Sequence, residues 1–312
     1  MRPRCLHVAA ATLVGPVAHR RGPTRVATLV TELRLDHTPV LRFELHCHST
    51  ESDGTDTPAN VVRRAEARGV DVFALTDHDT CTGLAMARGH SLRAVEISCD
   101  EVVTGRTLHV LAYDRGGAGW TELETKLGVL REARRNRLRV MGVRLETRGI
   151  EIDIDAMIAG AHGRSVGRPD LARAMVAAGH VTSMKEAFSR HLFDGGPVDV
   201  PHHALPLPEA LELGRFAGAA MSLAHPHLYD HLGVELLKRH HRDGLGGLEA
   251  FYGAYDPRER SRWIELADEL DLVCTGGSDS HSPDEALGID LPADRSARLV
   301  DWLGLSGRSA TM

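Results

Sequence analysis

From Val40 onward the chain alternates short, almost unbroken apolar runs with amphipathic segments of helical period, and that rhythm restricts it to an α/β architecture. Val40–Leu45 reads as a strand. Thr57 followed by Pro58 is an N-cap with proline at the first helical position, opening a helix over Ala59–Arg68 that stops at Gly69. Val70–Thr76, Ala94–Ser98 and Thr107–Tyr113 read as further strands, each nearly continuously apolar, as strands buried in a parallel sheet are. Between Trp120 and Gly214 the strand texture disappears. Only helical segments remain, at Thr121–Arg148, Pro169–Ala178, Ser183–Leu192 and Pro208–Leu213, the pattern of a helical insertion in a barrel. The alternation then resumes with strand Ala219–Ala224, helix Val234–Arg242, strand Gly247–Phe251, helix Pro257–Leu270 and strand Leu272–Thr275. The expected organisation is a barrel from residues 40–119 and 215–312, a helical insertion over residues 120–214, and a basic leader over residues 1–39 that is disordered.

Charge separates the leader from the rest. The first 42 residues hold seven arginines against Glu32 and Asp36, a surplus of +5, so the remainder of a chain of formal charge −6 carries −11. Phosphate contacts dominate affinity for long nucleic acid, and a body this acidic argues against such a partner. No run approaches the ~20 apolar residues that a membrane span needs. Five cysteines, at 5, 47, 81, 99 and 274, form no C-x-x-C pair, which points away from disulfide frameworks and zinc ribbons and toward a reducing cytoplasm. No pattern in the sequence encodes an oligomeric state.

Histidine is the unusual residue, with 19 in 312. The first strand runs into His46-Cys47-His48, and strand alternation sends residues 46 and 48 to one side and Cys47 to the other. Alone, an H-x-H in so histidine-rich a chain is a weak signal. Its weight comes from recurrence: Asp77-His78-Asp79 follows the second strand, Glu96 and His109 lie in the third and fourth, His225 follows the fifth, and Asp279-Ser280-His281 follows the last. Ends of parallel barrel strands share one mouth, so these groups converge on one cavity. Gathering so many imidazoles and carboxylates is costly unless cations hold them together, and a cluster of divalent metals meets that requirement. His202-His203 and His240-His241 read as surface residues, and Asp77 as a residue that orients its neighbours.

Six ordered motifs carry a resemblance: Leu45-His46-Cys47-His48-Ser49-Thr50, Ser52-Asp53-Gly54, Ala74-Leu75-Thr76-Asp77-His78-Asp79-Thr80, Glu96-Ile97-Ser98, Ala224-His225-Pro226 and Gly277-Ser278-Asp279-Ser280-His281. Over roughly residues 40–290 the chain resembles the PHP (polymerase and histidinol phosphatase) family. Within it, the segment from Gly167-Arg168-Pro169-Asp170 to His180-Val181 is similar to the branch that includes nucleoside 3′,5′-bisphosphate phosphatases and a 5′-to-3′ exoribonuclease. The resemblance implies a distorted seven-stranded (β/α) barrel with three metals, most often Mn²⁺, at its mouth. Zn²⁺ and Fe²⁺ suit the same donors. By motif, His46, His48, Glu96 and Asp279 would hold the first metal, Glu96 would bridge to a second with His109 and His225, and Asp53, His78 and His281 would hold the third. A hydroxide held between the metals of Glu96, His109, His225 and Asp279 would attack phosphorus.

The implied activity is hydrolysis of the 3′-phosphate of small nucleotides such as nucleoside 3′,5′-bisphosphates, extending to 5′-to-3′ trimming of short RNA. Arg131 and Arg135, in a stripe with Arg139, and Arg168 before a helix are the candidate phosphate contacts. For the stripe, a solvated face balanced by Glu124, Glu132 and Glu146 is the alternative. Two departures bear on the substrate: Asp170 stands where relatives commonly have His, and His227-Leu228-Tyr229 stands where Gly-Arg-Tyr often follows Ala-His-Pro. The rival functions are a phosphatase of another small monoester, as in the histidinol phosphatase branch, and a non-catalytic metal-binding module.

Overall fold

Seven apolar runs become the staves of one barrel in the computed structural model, which describes residues 40–86 and 91–306. The leader expected over residues 1–39 lies outside the described residues. The strands are β1 (Leu41–Glu44), β2 (Val72–Leu75), β3 (Leu92–Asp100), β4 (Thr107–Asp114), β5 (Leu205–Pro206), β6 (Ala219–Leu223), β7 (Gly247–Tyr252), β8 (Val273–Gly277) and β9 (Ile289–Leu291). Strands β1, β2, β3, β4, β6, β7 and β8 neighbour one another in that order. Beyond them the two ends meet: Leu45 N–H donates to Gly276 O (3.2 Å) and Asp279 N–H to His46 O (2.7 Å). The result is the distorted, nearly closed seven-stranded barrel that the resemblance implied. Strand β9 pairs antiparallel with the other side of β1, and β5 adds two residues to β3.

The sheet is not all parallel. Strand β4 runs antiparallel to both β3 and β6. The reason lies in the connection, because residues 101–106 are too few for a crossover and suffice only for a hairpin. Glu101 stabilises that turn by accepting from Val103 N–H (2.9 Å) and Thr104 N–H (2.6 Å). The reversal matters for the site. His109 lies near the start of β4, yet register places it beside Ser98, two residues past Glu96 on β3.

The helices are α1 (Pro58–Ala67), α2 (Trp120–Glu146), α3 (Ile154–Gly160), α4 (Arg168–Ala177), α5 (Leu207–Ala217), α6 (His231–His240), α7 (Pro257–Glu269) and α8 (Ala293–Trp302), of which α3 and α4 pack in the insertion rather than on the strands. Single turns occur at Gly83–Met86 and Met184–Ala187, the latter continuing as a π turn at Phe188–Leu192. The Thr57 hydroxyl accepts from Asn60 N–H (3.3 Å) at the start of α1, whose buried Val61, Val62 and Ala65 cover Phe73, Leu75 and Cys47. Helix α2 belongs to two cores. Its first half places Trp120, Leu123, Leu127 and Leu130 against the barrel, and its second half places Leu138, Met141 and Leu145 among Ile154, Ile158, Leu171 and Met175. One rigid helix therefore spans the barrel core and the insertion core.

Where β8 leaves the barrel it presses on β1. A Cβ at Gly277 would overlap the backbone and Cβ of His46, with His46 Cα 2.8 Å away. Gly277→Ala must push the two strand ends apart, so we expect a loss of about 1–3 kcal/mol, read as a Tm several degrees lower in thermal unfolding without divalent metal. An unchanged Tm would show that the seam relaxes freely.

Candidate metal centre

Strand alternation sets the first two candidate ligands. Cys47 is buried behind the sheet beside Val61 and Val62, which leaves His46 and His48 facing the barrel mouth. His78 follows β2 and bridges to Glu96 of β3. His225 follows β6, Asp279 and His281 follow β8, and Asp53 comes from the loop over residues 49–54. Three residues around the mouth have positive φ without being glycine: Asp79 (52°), His225 (27°) and Asp279 (55°). Such backbone costs of order 1–3 kcal/mol each and persists only where surrounding contacts over-determine it.

Glu96 lies at the centre. Its Oε1 is 3.3 Å from His46 Nε2, 3.0 Å from His109 Nδ1 and 3.1 Å from His225 Nε2, and its Oε2 is 3.2 Å from His48 Nε2 and 2.9 Å from His78 Nδ1. Asp279 Oδ1 approaches His46 Nε2 (3.3 Å) and His48 Nε2 (3.2 Å). Asp53 faces His281 Nε2 (3.4 Å), His78 Nε2 (3.6 Å) and His48 Nδ1 (3.7 Å). The structure thus brings all nine sequence-predicted ligands to one mouth. They fall into overlapping groups able to share an ion: His48, Asp53, His78 and His281; His46, His48 and Asp279; His46, Glu96 and His225; His78, Glu96 and His109.

The donor set fits divalent cations on a specific observation. His46 Nε2, His48 Nε2, His78 Nδ1 and Glu96 Oε2 are buried without a hydrogen-bond partner. They approach opposite charges without aligned donor geometry, as ring nitrogens and carboxylates do when aimed at common points. Electrostatics agree. Burial resists charging His46, but Glu249, Asp279 and Glu96 outweigh it and hold its pKa well above the usual imidazole range. His48 is held high in the same way, against burial, by Asp279 and Glu96. Burial opposes ionisation of Glu96 and Asp53 too, yet His78 and its neighbours hold both carboxyls well below their ordinary values. The cluster is built to face positive charge.

Several supporting residues escape sequence reasoning. Glu249, fully buried, receives His46 Nδ1 (3.0 Å) and His225 N–H (2.7 Å) on its carboxylate. The available signal was an acidic residue inside the apolar strand β7. Tyr252 OH donates to Asp279 Oδ2 (3.1 Å), and Tyr229 OH accepts from His109 N–H (2.8 Å) while facing His225 Nδ1 (3.1 Å). Asp77, by contrast, is expected from the sequence to orient its neighbours, and it accepts from Ser49 N–H (2.7 Å), Ser49 Oγ (2.7 Å) and Ser52 Oγ (2.6 Å).

A cavity of about 650 Å³ opens beside the cluster, where Asp53, His78, His109 and His225 face Arg106, Arg134, Arg137 and Arg168. Of the predicted arginines, Arg168 lines it, bonded to Leu192 O and Asp194. Arg131 and Arg135 do not: Arg131 donates to Asp79 O (2.8 Å), and Arg135 to Glu132 (3.1 Å) and Gly163 O (3.0 Å). Helix geometry accounts for this placement. Leu123, Leu127, Leu130, Leu138, Met141 and Leu145 define the inward face of α2, and Arg134 and Arg137 interrupt that face while Arg135 and Arg139 lie off it. Arg134 also donates to Asp79 Oδ2 and Ser98 Oγ (both 2.6 Å). His202, read as a surface residue, lines the cavity with both ring nitrogens buried and unpartnered, and its pKa is pushed down to about 2 by burial and by Arg134 and Arg137.

A buried imidazole and carboxylate cluster at the mouth of a seven-stranded barrel, with a basic wall opposite, defines a metal-dependent hydrolase of phosphate esters. Comparison with known proteins agrees. The PHP domain model matches residues 44–127. The 3′,5′-nucleoside bisphosphate phosphatase of Chromobacterium violaceum is 35% identical over 78% of this chain and 88% of its own length. The 5′-3′ exoribonuclease of Haemophilus influenzae is 34% identical over 78% of this chain and 90% of its own. A solved metal-dependent phosphoesterase from Bifidobacterium adolescentis superposes with a TM-score of 0.73 at 27% identity, covering 85% of this chain and 98% of that one. This chain belongs to the PHP family of metal-dependent phosphoesterases. Among the described residues no helix is long and apolar enough to cross a membrane.

Residues that hold a ligating ring in place carry much of a metal site's affinity. Glu249→Gln keeps the shape but removes the charge behind His46, so we expect Mn²⁺ affinity to fall about 10- to 100-fold in a metal titration. Wild-type affinity in the variant would show that His46 is held without Glu249.

Proposed function

We propose that the protein hydrolyses phosphate monoesters of small nucleotides, removing the 3′-phosphate of nucleoside 3′,5′-bisphosphates, with short RNA trimmed from its 5′ end as a further substrate. The observation that carries this reading is the placement of Arg106, Arg134, Arg137 and Arg168 in the same cavity as His78, His109 and His225. A substrate with two separated phosphates satisfies both walls, one against the ligand cluster and the other against guanidinium groups.

In this reading His46, His48, Glu96 and Asp279 hold a first metal, Glu96, His109 and His225 a second, and Asp53, His78 and His281 a third. Mn²⁺ is the best match, and Fe²⁺ or Zn²⁺ suits the same donors. Bound divalent cations would polarise the phosphoryl group and bring a water into its reactive ionisation range. The chain's own residues do the positioning. Glu249 fixes the His46 ring and the His225 backbone, Tyr252 fixes Asp279, and Tyr229 fixes His109 and His225. The arginine wall orients the remote phosphate, with Arg137 and Arg168 held by Asp199 and Asp194 and with His202 neutral beside Arg134 and Arg137. We place the protein in the cytoplasm: Cys47, Cys81, Cys99 and Cys274 are all free thiols, which suits a reducing compartment. Its partners are small phosphorylated nucleotides or short RNA rather than long nucleic acid, given the acidic body.

The test is phosphate release from adenosine 3′,5′-bisphosphate by the Mn²⁺-loaded protein, with 5′-AMP as the comparison. We expect kcat/KM at least ~100-fold higher for the bisphosphate, lost in a His48→Ala, Asp279→Ala double variant. Arg137→Met should raise KM for the bisphosphate by about 10-fold or more, the scale of a hydrogen bond to a charged group. Equal rates on the two nucleotides would remove the bisphosphate reading. A higher kcat/KM for another small monoester would put the protein with the histidinol-phosphatase-like enzymes instead.

A further inference from the structure

Asp53 differs from the other ligand candidates in how it is held. The others follow or lie within barrel strands, whereas Asp53 sits in the loop over residues 49–54, and its contacts of 3.4, 3.6 and 3.7 Å are longer than most of those around Glu96. Its carboxylate is approached by Ser52 Oγ (3.3 Å), so the loop backbone has to place it.

That backbone is gripped from two sides. The barrel grips it through Asp77, which binds Ser49 and Ser52. The insertion grips it through Arg164 Nη1, which donates to Ser52 O (2.7 Å), Arg173 Nη1, which donates to Asp53 O (3.1 Å), and Ser165 N–H, which donates to Glu51 O (2.9 Å). One carboxylate gathers the two guanidiniums. Asp170 Oδ1 accepts from Arg164 Nη2 (2.7 Å) and Arg173 Nη2 (3.0 Å), and Asp170 Oδ2 accepts from Gly167 N–H (2.8 Å) at the start of α4. Asp170 is 4% exposed. Every oxygen of this hub is committed, and without its charge the two arginines would repel each other and leave the loop.

We propose that Asp170, acting through Arg164 and Arg173, is a positioning residue for Asp53, so that the helical insertion completes the part of the metal centre formed by Asp53, His78 and His281. This rests on the reading of the cluster as a metal centre. The insertion then has a second role besides bordering the cavity: it sets the geometry of the ligand group with the longest contacts, and that group should be the last to fill and the first to empty.

The experiment titrates Mn²⁺ alone into the chelator-treated full-length chain and measures bound Mn²⁺ by elemental analysis and electron paramagnetic resonance. It compares wild type, Asp170→Asn, Arg173→Ala and, as a control, Arg190→Ala, which loses only the Glu186 ion pair within the insertion. Arg173 is partly exposed, so Arg173→Ala decides the question if Asp170→Asn fails to fold. The expected result is that the last Mn²⁺ equivalent shifts at least 10-fold to higher free Mn²⁺ in Asp170→Asn and Arg173→Ala, while the tighter equivalents keep their midpoints and Arg190→Ala matches wild type. An unshifted last equivalent in Arg173→Ala, or a uniform weakening of all equivalents, overturns the inference. No Mn²⁺ uptake by wild type overturns the metal-centre reading and this inference with it, whereas normal wild-type uptake with an unshifted variant overturns this inference alone.

Discussion

Glu96 is 1% exposed and faces the rings of His46, His48, His78, His109 and His225 at 2.9–3.3 Å. A carboxylate removed from water is costly unless opposite charge or aligned donors replace the lost hydration. Here the compensation comes from five rings on four segments of the chain. The cost is met only if the ends of β1, β2 and β6 and the start of the antiparallel β4 meet at the same height around β3, which makes the barrel's closure a condition for the site. The seam between β1 and β8, where Gly277 lets the backbones touch, and the positive φ of His225 and Asp279 are local consequences of that requirement.

The helical insertion is bound into the same arrangement. Helix α2 starts in the barrel core and ends in the insertion core. Midway along it, Arg134 ties Asp79 to Ser98 and so links the segments that carry His78 and Glu96. The same guanidinium borders the cavity. The wall proposed to take a remote phosphate and the segments that carry His78 and Glu96 therefore share a residue.

Much of this was legible in the sequence because it rests on local rules. The H-x-H alternation, the Thr57-Pro58 helix start and the recurrence of His, Asp and Glu at strand ends are short-range patterns. What escaped depended on distant partners. The reversal of β4 follows from a hairpin whose length is visible, but its effect on His109 needs the register with β3. Glu249 is one acidic residue in an apolar strand, and only the fold sets it behind His46. Spacing alone points to Arg131 and Arg135, whereas Arg168 is marked by its place before a helix. Arg131 and Arg135 share a stripe, but the inward face of α2 is defined by leucines, and Arg134 and Arg137 lie on it. His202 follows the same logic, since a polar loop gives no sign that its ring will be buried against Arg134 and Arg137.

On the reading proposed above, convergence around Glu96 exists to hold divalent cations. The most direct measurement is anomalous diffraction at the manganese absorption edge from crystals of the protein equilibrated with Mn²⁺. Anomalous peaks are expected among His46, His48, Glu96 and Asp279, with the buried, unpartnered ring nitrogens of His46 and His48 turned toward them. A map without peaks at the barrel mouth, with Glu96 still paired to protonated imidazoles, would contradict it and leave the cluster as a buried ion network of structural purpose.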